Sequence, residues 1–366
     1  MANQLYTLVD NFRNLASDAA DFVLATIIST QGSTYQKAGA RMLIAPDGTC
    51  QGMLSGGCFE SDLSERARSV FATGRAVTVD YDMRSPEEMI WGLGLGCNGA
   101  VKIFLQLLKA EEHDFPLDVL AQAVSNDRQG VLLTVIESTH HKLPAGRSLF
   151  LREEDGENDD SSWPDALIAA ARRTLSGDRP HSENHLIEDK TVSVFYDPIR
   201  PLPRLLIVGA GTDAVPVLQC AKALGWRVTI VDHRPAYIKP ERFASACRLF
   251  HCPPQHLAGN LQLDHFDAAV LMSHSFEYDS RFLKSIADSR IPFIGLLGPK
   301  ARKERLLEGL GAQAAKLEGR VFGPVGLDIG ARTPEEIALS IMAGILAAQN
   351  RRQGGQLTMD KVSAHA

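Results

Sequence analysis

The chain has 366 residues, 45% hydrophobic and 22% charged, with a formal net charge of −6 at neutral pH. That composition is globular, and the length predicts two domains that each bury a core. A negative balance without a long Lys/Arg run argues against a nucleic-acid partner, and no stretch approaches the roughly 20 apolar residues that span a bilayer.

Residues 1–21 carry Asp10, Asp18 and Asp21 and have no basic region before an apolar core, so no signal peptide is expected. Cys50, Cys58, Cys97, Cys220, Cys247 and Cys252 follow neither a disulfide framework nor a zinc-ribbon spacing. Reduced thiols in a cytoplasmic protein are the expectation. Leu5, Leu8, Phe12 and Leu15 predict a helix over 3–20. Residues 22–28 read as a buried strand and 29–41 as a polar loop of functional length. Lys37 and Arg41 in that loop are candidate phosphate partners, or solvated charges. A strand over 42–45, a turn at 46–48 and a return over 49–54 make a hairpin.

There follows Ser55-Gly56-Gly57-Cys58-Phe59-Glu60, ahead of a helical pattern with Leu63, Ala67, Val70 and Phe71 on one face. Cys58 falls at or just before the helix N-terminus, where free N–H groups favour an anion and lower a thiol pKa. Gly56 and Gly57 can add backbone donors in a concave nest. An inert buried cysteine after a strand-to-helix turn is the competing reading. Residues 77–81 alternate like a half-buried strand. Gly92, Gly94, Gly96 and Gly99 then surround Cys97, which implies close approach to a ligand or simple backbone crossing. Strand 101–108, helix 117–124 and a hairpin of 131–136 with 149–151 come next. An acidic loop (153–162), a helix (163–175), a polar stretch, a strand (191–196) and a proline-rich junction (197–203) complete this half.

The second half opens with a strand over 204–208 that ends in Gly209-Ala210-Gly211-Thr212-Asp213-Ala214. A helix follows, then a strand over 227–231 that ends in Asp232. This is a βαβ unit with the G-x-G-x-x-A fingerprint, Asp232 standing where a ribose-binding acid belongs. Further alternation is expected: strands 268–272 and 292–297, helices 280–287, 301–308 and 334–348. His274 lies at the carboxyl edge, where it either faces a ligand or caps the next helix. The expected fold class is α/β: an N-terminal α+β domain (1–199), a C-terminal doubly wound Rossmann-type domain (200–350) and a disordered tail (351–366).

The motifs resemble those of the XdhC/CoxI family, accessory factors for xanthine dehydrogenase and related molybdenum hydroxylases. The N-terminal likeness comprises Gly32-Ser33-Thr34, Gly39-Ala40-Arg41-Met42, Ser55-Gly56-Gly57-Cys58-Phe59-Glu60 and Gly96-Cys97-Asn98-Gly99. The C-terminal likeness comprises Val208-Gly209-Ala210-Gly211, Met272-Ser273-His274, Gly323-Pro324-Val325-Gly326-Leu327-Asp328 and Thr333-Pro334-Glu335-Glu336. The chain departs from the family pattern at Asn98, at Gly298-Pro299-Lys300 and at Thr212-Asp213. The resemblance implies a chaperone that binds the molybdenum cofactor (molybdopterin or its dinucleotide form). It implies protection of that cofactor during sulfuration and delivery to an apo-hydroxylase of the xanthine dehydrogenase type. A cysteine desulfurase and a second copy of the chain are further expected partners. Cys58 and Cys97 would hold the soft molybdenum or relay sulfur to it. Arg41, Gly56, Gly57, Gly209, Gly211, Asp232 and His274 are the other candidate cofactor-binding residues. Two alternatives stand beside this: an NAD(P)-dependent oxidoreductase using Gly209, Gly211 and Asp232, and a redox sensor with a reversible Cys58–Cys97 disulfide.

Overall fold

A computed structural model describes residues 21–57, 59–84, 99–109, 116–117, 120, 129–153, 162–177 and 179–356. Cys58, Cys97, the expected helix over 3–20, most of that over 117–124, nearly all of the acidic loop and the tail beyond 356 lie outside the described residues. The chain forms two compact units, Met1–Pro201 and Leu202–Ala366.

The first unit contains two antiparallel sheets. One is built from β1 (Phe22–Gly32), β2 (Arg41–Ile44), β3 (Cys50–Gly52), β4 (Val77–Asp82) and β5 (Gly99–Leu108), in the order β3-β2-β1-β5-β4. The other has β6 (Gly130–Ser138), β7 (Ser148–Arg152), β8 (His181–Ile187) and β9 (Lys190–Ile199), in the order β7-β6-β9-β8. Strand alternation sends side chains to opposite faces and so fixes the layers. Val23, Ala25, Met42 and Ile44 pack with Leu63, Ala67 and Val70 of helix α1 (Glu60–Thr73). The opposite residues Phe22, Leu24 and Leu43 meet Leu132, Phe150 and Ile199 of the second sheet. Val131, Leu133, Val194 and Tyr196 turn the other way, onto Leu167, Ala170 and Ala171 of α2 (Asp165–Leu175). The order is helix, sheet, sheet, helix.

Three features depart from expectation. Polar residues 29–32 continue β1 past a bulge and pair with β5, from Ser29 opposite Lys102 to Gly32 opposite Gly99. β8 was not anticipated: it is an edge strand whose HSENHLI sequence has no buried residue. β9 runs on to Ile199 through Pro198, where its register with β8 has already ended at Tyr196. A residue without an N–H is tolerated at such an unpaired edge. At Gly99 the glycine serves backbone crossing: a Cβ there would sit 2.4 Å from Ser33 O and 2.7 Å from Gln31 O.

The second unit is the Rossmann-type fold that the sequence predicts. β10 (Arg204–Val208), β11 (Arg227–Asp232), β12 (Arg248–His251), β13 (Ala268–Leu271), β14 (Ile294–Leu296) and β15 (Val321–Phe322) form one parallel sheet. Their order, β12-β11-β10-β13-β14-β15, is that of a doubly wound dinucleotide fold. The short, half-exposed outer strands β12 and β15 were missed. Helices α3 (Ala214–Ala223), α4 (Leu257–Asn260), α5 (Phe276–Ile286), α6 (Lys300–Glu308) and α7 (Pro334–Gln349) cover both faces. Leu205 and Ile207 face α3 and α7, while Leu206 and Val208 face α4, α5 and α6. Among the described residues no helix is long and apolar enough to cross a membrane.

Thr333 starts α7 with a capping box: its hydroxyl accepts from Glu336 N, and the Glu336 carboxylate accepts from Thr333 N at 3.0 Å. Thr333→Ala is expected to lower the unfolding free energy of the second unit by about 1 kcal/mol, read by urea titration.

Candidate functional site

In the first unit, the glycine turn before α1 is closed from inside. Glu60, the first residue of α1, folds back so that its carboxylate accepts from Ser55 N at 3.1 Å, Ser55 Oγ at 2.6 Å and Phe59 N at 3.1 Å. Phe59 is the N-cap, stacked on Tyr81 with ring centroids 4.4 Å apart. The N–H groups of Ser55 and Phe59, on either side of the expected glycine nest, are therefore taken by the chain's own carboxylate. Burial pushes the Glu60 carboxyl up, but the Ser55 hydroxyl and the backbone N–H groups outweigh it and hold the group below its ordinary value. Gly56 and Gly57 remain exposed at the tip, Gly57 at φ +102° with open space around it.

A depressed folded pKa means that Glu60 stabilises the fold above its unfolded pKa, and that this contribution is lost as pH falls through the folded value. Glu60→Gln is expected to cost about 1 kcal/mol or less at pH 7, because the carboxylate is half in solvent. The difference from wild type should close as the pH is lowered through the acid range in urea unfolding. A pH-independent difference would sink this role.

Arg41 is not a loop cation. It begins β2, is 7% exposed, and its guanidinium pairs with Asp197 of β9 at 2.6 Å and donates to Gly39 O at 3.1 Å. Both side chains lie between the two sheets, because Arg41 shares the face of Leu43 and Asp197 that of Ile199. Burial pushes the Asp197 carboxyl up against the pull of Arg41. A guanidinium held there is not presented to a phosphate in solvent. Lys37 stays exposed, donating to Thr34 Oγ1 at 3.2 Å.

In the second unit, Gly209, Gly211, Asp232 and His274 come together at the carboxyl edge of the parallel sheet. Gly209 leaves β10 at φ +119°, and a Cβ there would lie 2.5 Å from Met272 O. Its freedom lets the ends of β10 and β13 meet. A Cβ on Gly211 would reach 2.4 Å from Asp213 Oδ1, so the Asp213 side chain lies against the turn.

Asp232 stands where expected but is differently engaged. It is 0% exposed, and its carboxylate accepts from Ala210 N at 2.7 Å, Arg234 N at 2.8 Å and both Nε and Nη2 of Arg234 at 2.9 and 2.8 Å. Burial pushes its carboxyl up, but the Arg234 guanidinium and the two N–H groups prevail and hold it low. Both oxygens clamp the glycine turn to the end of β11, and neither is exposed to a ribose. Arg234 itself is partly exposed, 3.5 Å over the Tyr237 ring.

Two hollows flank the turn. The one on the β11 side encloses about 670 Å³ and is lined by Gly211, Thr212, Arg234, Tyr237, Lys239 and Arg242, with Asp213 and His274 at its border. The other encloses about 340 Å³ and is mainly apolar, with Val217, Met272, Leu297 and Ile337 beside Thr212, Asp213 and His274. The Asp213–His274 contact, 2.7 Å between Oδ2 and Nε2, borders both. His274 adopts φ +60°, and Ser275 caps α5 in its place, accepting from Tyr278 N. Asp279 steadies this corner. It accepts from Ser273 Oγ at 2.6 Å and Ser273 N at 3.3 Å, and pairs with Arg302 at 2.8 Å.

Sequence reading missed Arg234, Lys239, Arg242 and Asp279. A signal existed for the first, a cation two residues after the fingerprint acid. Lys239 and Arg242 come from the connection after β11, which carries no motif, and Asp279 from the first turn of α5.

These features define a protein with an antiparallel two-sheet unit and a Rossmann unit whose glycine turn opens on a cation-lined hollow. Residues 205–345 match the XdhC Rossmann domain and residues 15–82 the XdhC and CoxI family, and the chain belongs to that family. It is 34% identical over 338 residues to a Bacillus subtilis protein named as a probable subunit of xanthine dehydrogenase, covering 92% of this chain and 96% of that one. It is 22% identical over 330 residues to the Escherichia coli molybdenum cofactor insertion chaperone PaoD, covering 89% and 83%. A crystal structure of a xanthine dehydrogenase from Bacillus halodurans resembles it with a TM-score of 0.76 at 28% identity, over 96% of this chain and 98% of that one.

Proposed function

We propose that this chain is a maturation factor: it binds the molybdenum cofactor, protects it during sulfuration and delivers it to a hydroxylase of the xanthine dehydrogenase type. The names of two relatives support that setting, one given as part of a xanthine dehydrogenase and the other as a molybdenum cofactor insertion chaperone. The observation that carries the reading is the cation-lined hollow beside the Gly209–Asp213 turn. A phosphorylated ligand suits it, since Lys239 and Arg242 have no acidic partner among the described residues and helix α3 begins at the turn. The adjoining apolar hollow suits a flat heterocycle, with Thr212, Asp213 and His274 as polar contacts at its rim.

When bound, the cofactor supplies a molybdenum centre with an exchangeable terminal ligand. The residues of this chain bind and shelter it. Arg234, Lys239 and Arg242 hold the anionic end, and the apolar walls keep water from the ring. Cys58 and Cys97 are the soft donors we assign to the metal, Cys58 directly before the N-cap of α1. Dinucleotide oxidoreduction is the second reading, because the edge is that of a Rossmann fold; the engaged carboxylate of Asp232 speaks against a free ribose diol there.

The test is to purify the chain from cells that make the cofactor and oxidise any bound pterin to its fluorescent product. Wild type should yield pterin and activate an apo-hydroxylase, and Cys58→Ala should lose activation. A protein free of pterin that oxidises NAD(P)H with a substrate overturns the proposal in favour of the second reading.

A further inference from the structure

We propose that the Rossmann unit selects a phosphate monoester, held by Arg234, Lys239 and Arg242, over a nucleotide end that offers a free ribose diol or only a phosphodiester. The inference rests on the reading that this edge holds the anionic end of the ligand, and it names the chemistry selected there.

A diol-binding site of this fold presents a carboxylate to the two hydroxyls. Here the acid is present and withdrawn: Asp232 has no exposed surface, and four donors occupy its oxygens. Its charge is matched by Arg234, which turns Nε and Nη2 inward and leaves Nη1 with no partner among the described residues. The guanidinium carbon lies over the Tyr237 ring, 3.5 Å from its centroid, a contact that adds to the hold of Asp232 on this side chain. A diol meeting Nη1 would find a donor where it needs an acceptor.

The charge count points the same way. Arg234 is balanced by Asp232, while Asp213 at the border of the hollow is hydrogen-bonded to His274 and keeps its own negative charge. Lys239 and Arg242 remain as cations without an acidic partner among the described residues, lining the same hollow. The hollow is thus net positive, and a terminal monoester, which concentrates about −1.5 to −2 on one phosphate group, suits adjacent Lys239 and Arg242 better than a pyrophosphate bridge, whose two phosphates carry one charge each.

Two sources provide that group: the 2′-phosphate of a nicotinamide dinucleotide, and the terminal phosphate of a mononucleotide-type pterin. The experiment titrates the full chain, by ligand fluorescence, with two pairs: NADPH against NADH, and molybdopterin monophosphate against its cytidine dinucleotide. In at least one pair the monoester member should bind about tenfold or more tightly, and Lys239→Gln/Arg242→Gln should abolish that preference. These two side chains have no acidic partner among the described residues, so the variant should fold normally, as circular dichroism and thermal melting would verify. The pair that discriminates identifies the source. Equal affinity within both pairs, no binding of either pair, or a preference that survives the double substitution overturns the inference. Co-purified pterin alongside equal affinities would remove the selectivity and leave the maturation reading standing. Selectivity for NADPH with no pterin bound would remove the maturation reading and keep the selectivity.

Discussion

Arg41→Met is expected to destabilise the first unit by about 3–5 kcal/mol, because it leaves the Asp197 carboxylate buried without a counter-charge. Both side chains lie between the sheets, at 4% and 6% exposure, amid Leu24, Leu43, Phe104 and Phe195. No solvent can take over the role of the guanidinium. Burial already raises the folded pKa of Asp197, even against Arg41. A raised carboxyl pKa means that stability is greatest below the unfolded value and declines as pH rises through the folded one. Without Arg41 that decline should steepen, so the deficit of the variant should be largest at neutral pH and shrink in acid as the carboxyl takes a proton. Hydrogen exchange at the amides of β2 and β9, together with urea unfolding, reads the effect. Arg41→Met/Asp197→Leu should recover most of the loss, since a well-packed apolar pair replaces an ion pair without penalty. A single variant of unchanged stability that had lost ligand affinity would restore Arg41 to a binding site and refute the structural role.

The placement of Arg41 in a strand and not in a loop shows what a sequence hides. The polarity of residues 29–41 reads as one loop, yet Ser29–Gly32 form a strand by pairing with β5, and Arg41 opens the next strand. Nothing local distinguishes a solvated arginine from one whose partner, Asp197, is 156 positions away. Edge strands were lost for a related reason. β8, β12 and β15 contribute little to a core, so they lack the apolar periodicity by which central strands such as β10 and β13 were recognised. The glycine turn was legible because its requirement is steric and local: no side chain fits at Gly209 against Met272 O. Asp232 was correctly located and differently employed. Position follows from the βαβ pattern, whereas the engagement of a carboxylate depends on neighbours such as Ala210 and Arg234 that only folding brings together. The thiols of Cys58 and Cys97, on which the sequence reading leaned most, lie outside the described residues, and their role stands as a proposal.

Asp232→Ala tests whether that acid belongs to the fold or to a ligand. The substitution removes the acceptor for the buried Ala210 N–H and for Arg234 N, and unpins a guanidinium that can partly turn to water. An unsatisfied buried donor costs roughly 1–3 kcal/mol, and losing hydrogen bonds to a charged group adds to it. The expected loss is about 2–4 kcal/mol at pH 7, on the second unit. Because the folded carboxyl pKa is depressed, its contribution is fully present above the unfolded value, near 4, and is lost as pH falls through the folded one. Wild type and variant should therefore converge in strong acid; in the wild type the contribution of Asp232 grows as pH rises, whereas that of Asp197 declines. Exchange of the Ala210 amide should accelerate most, since the carboxylate is its direct partner. Were Asp232 a ribose contact, alanine would leave stability and Ala210 exchange unchanged and reduce nucleotide affinity alone. The clamp predicts the reverse order of effects, with stability affected first and any change in affinity following from the loosened turn.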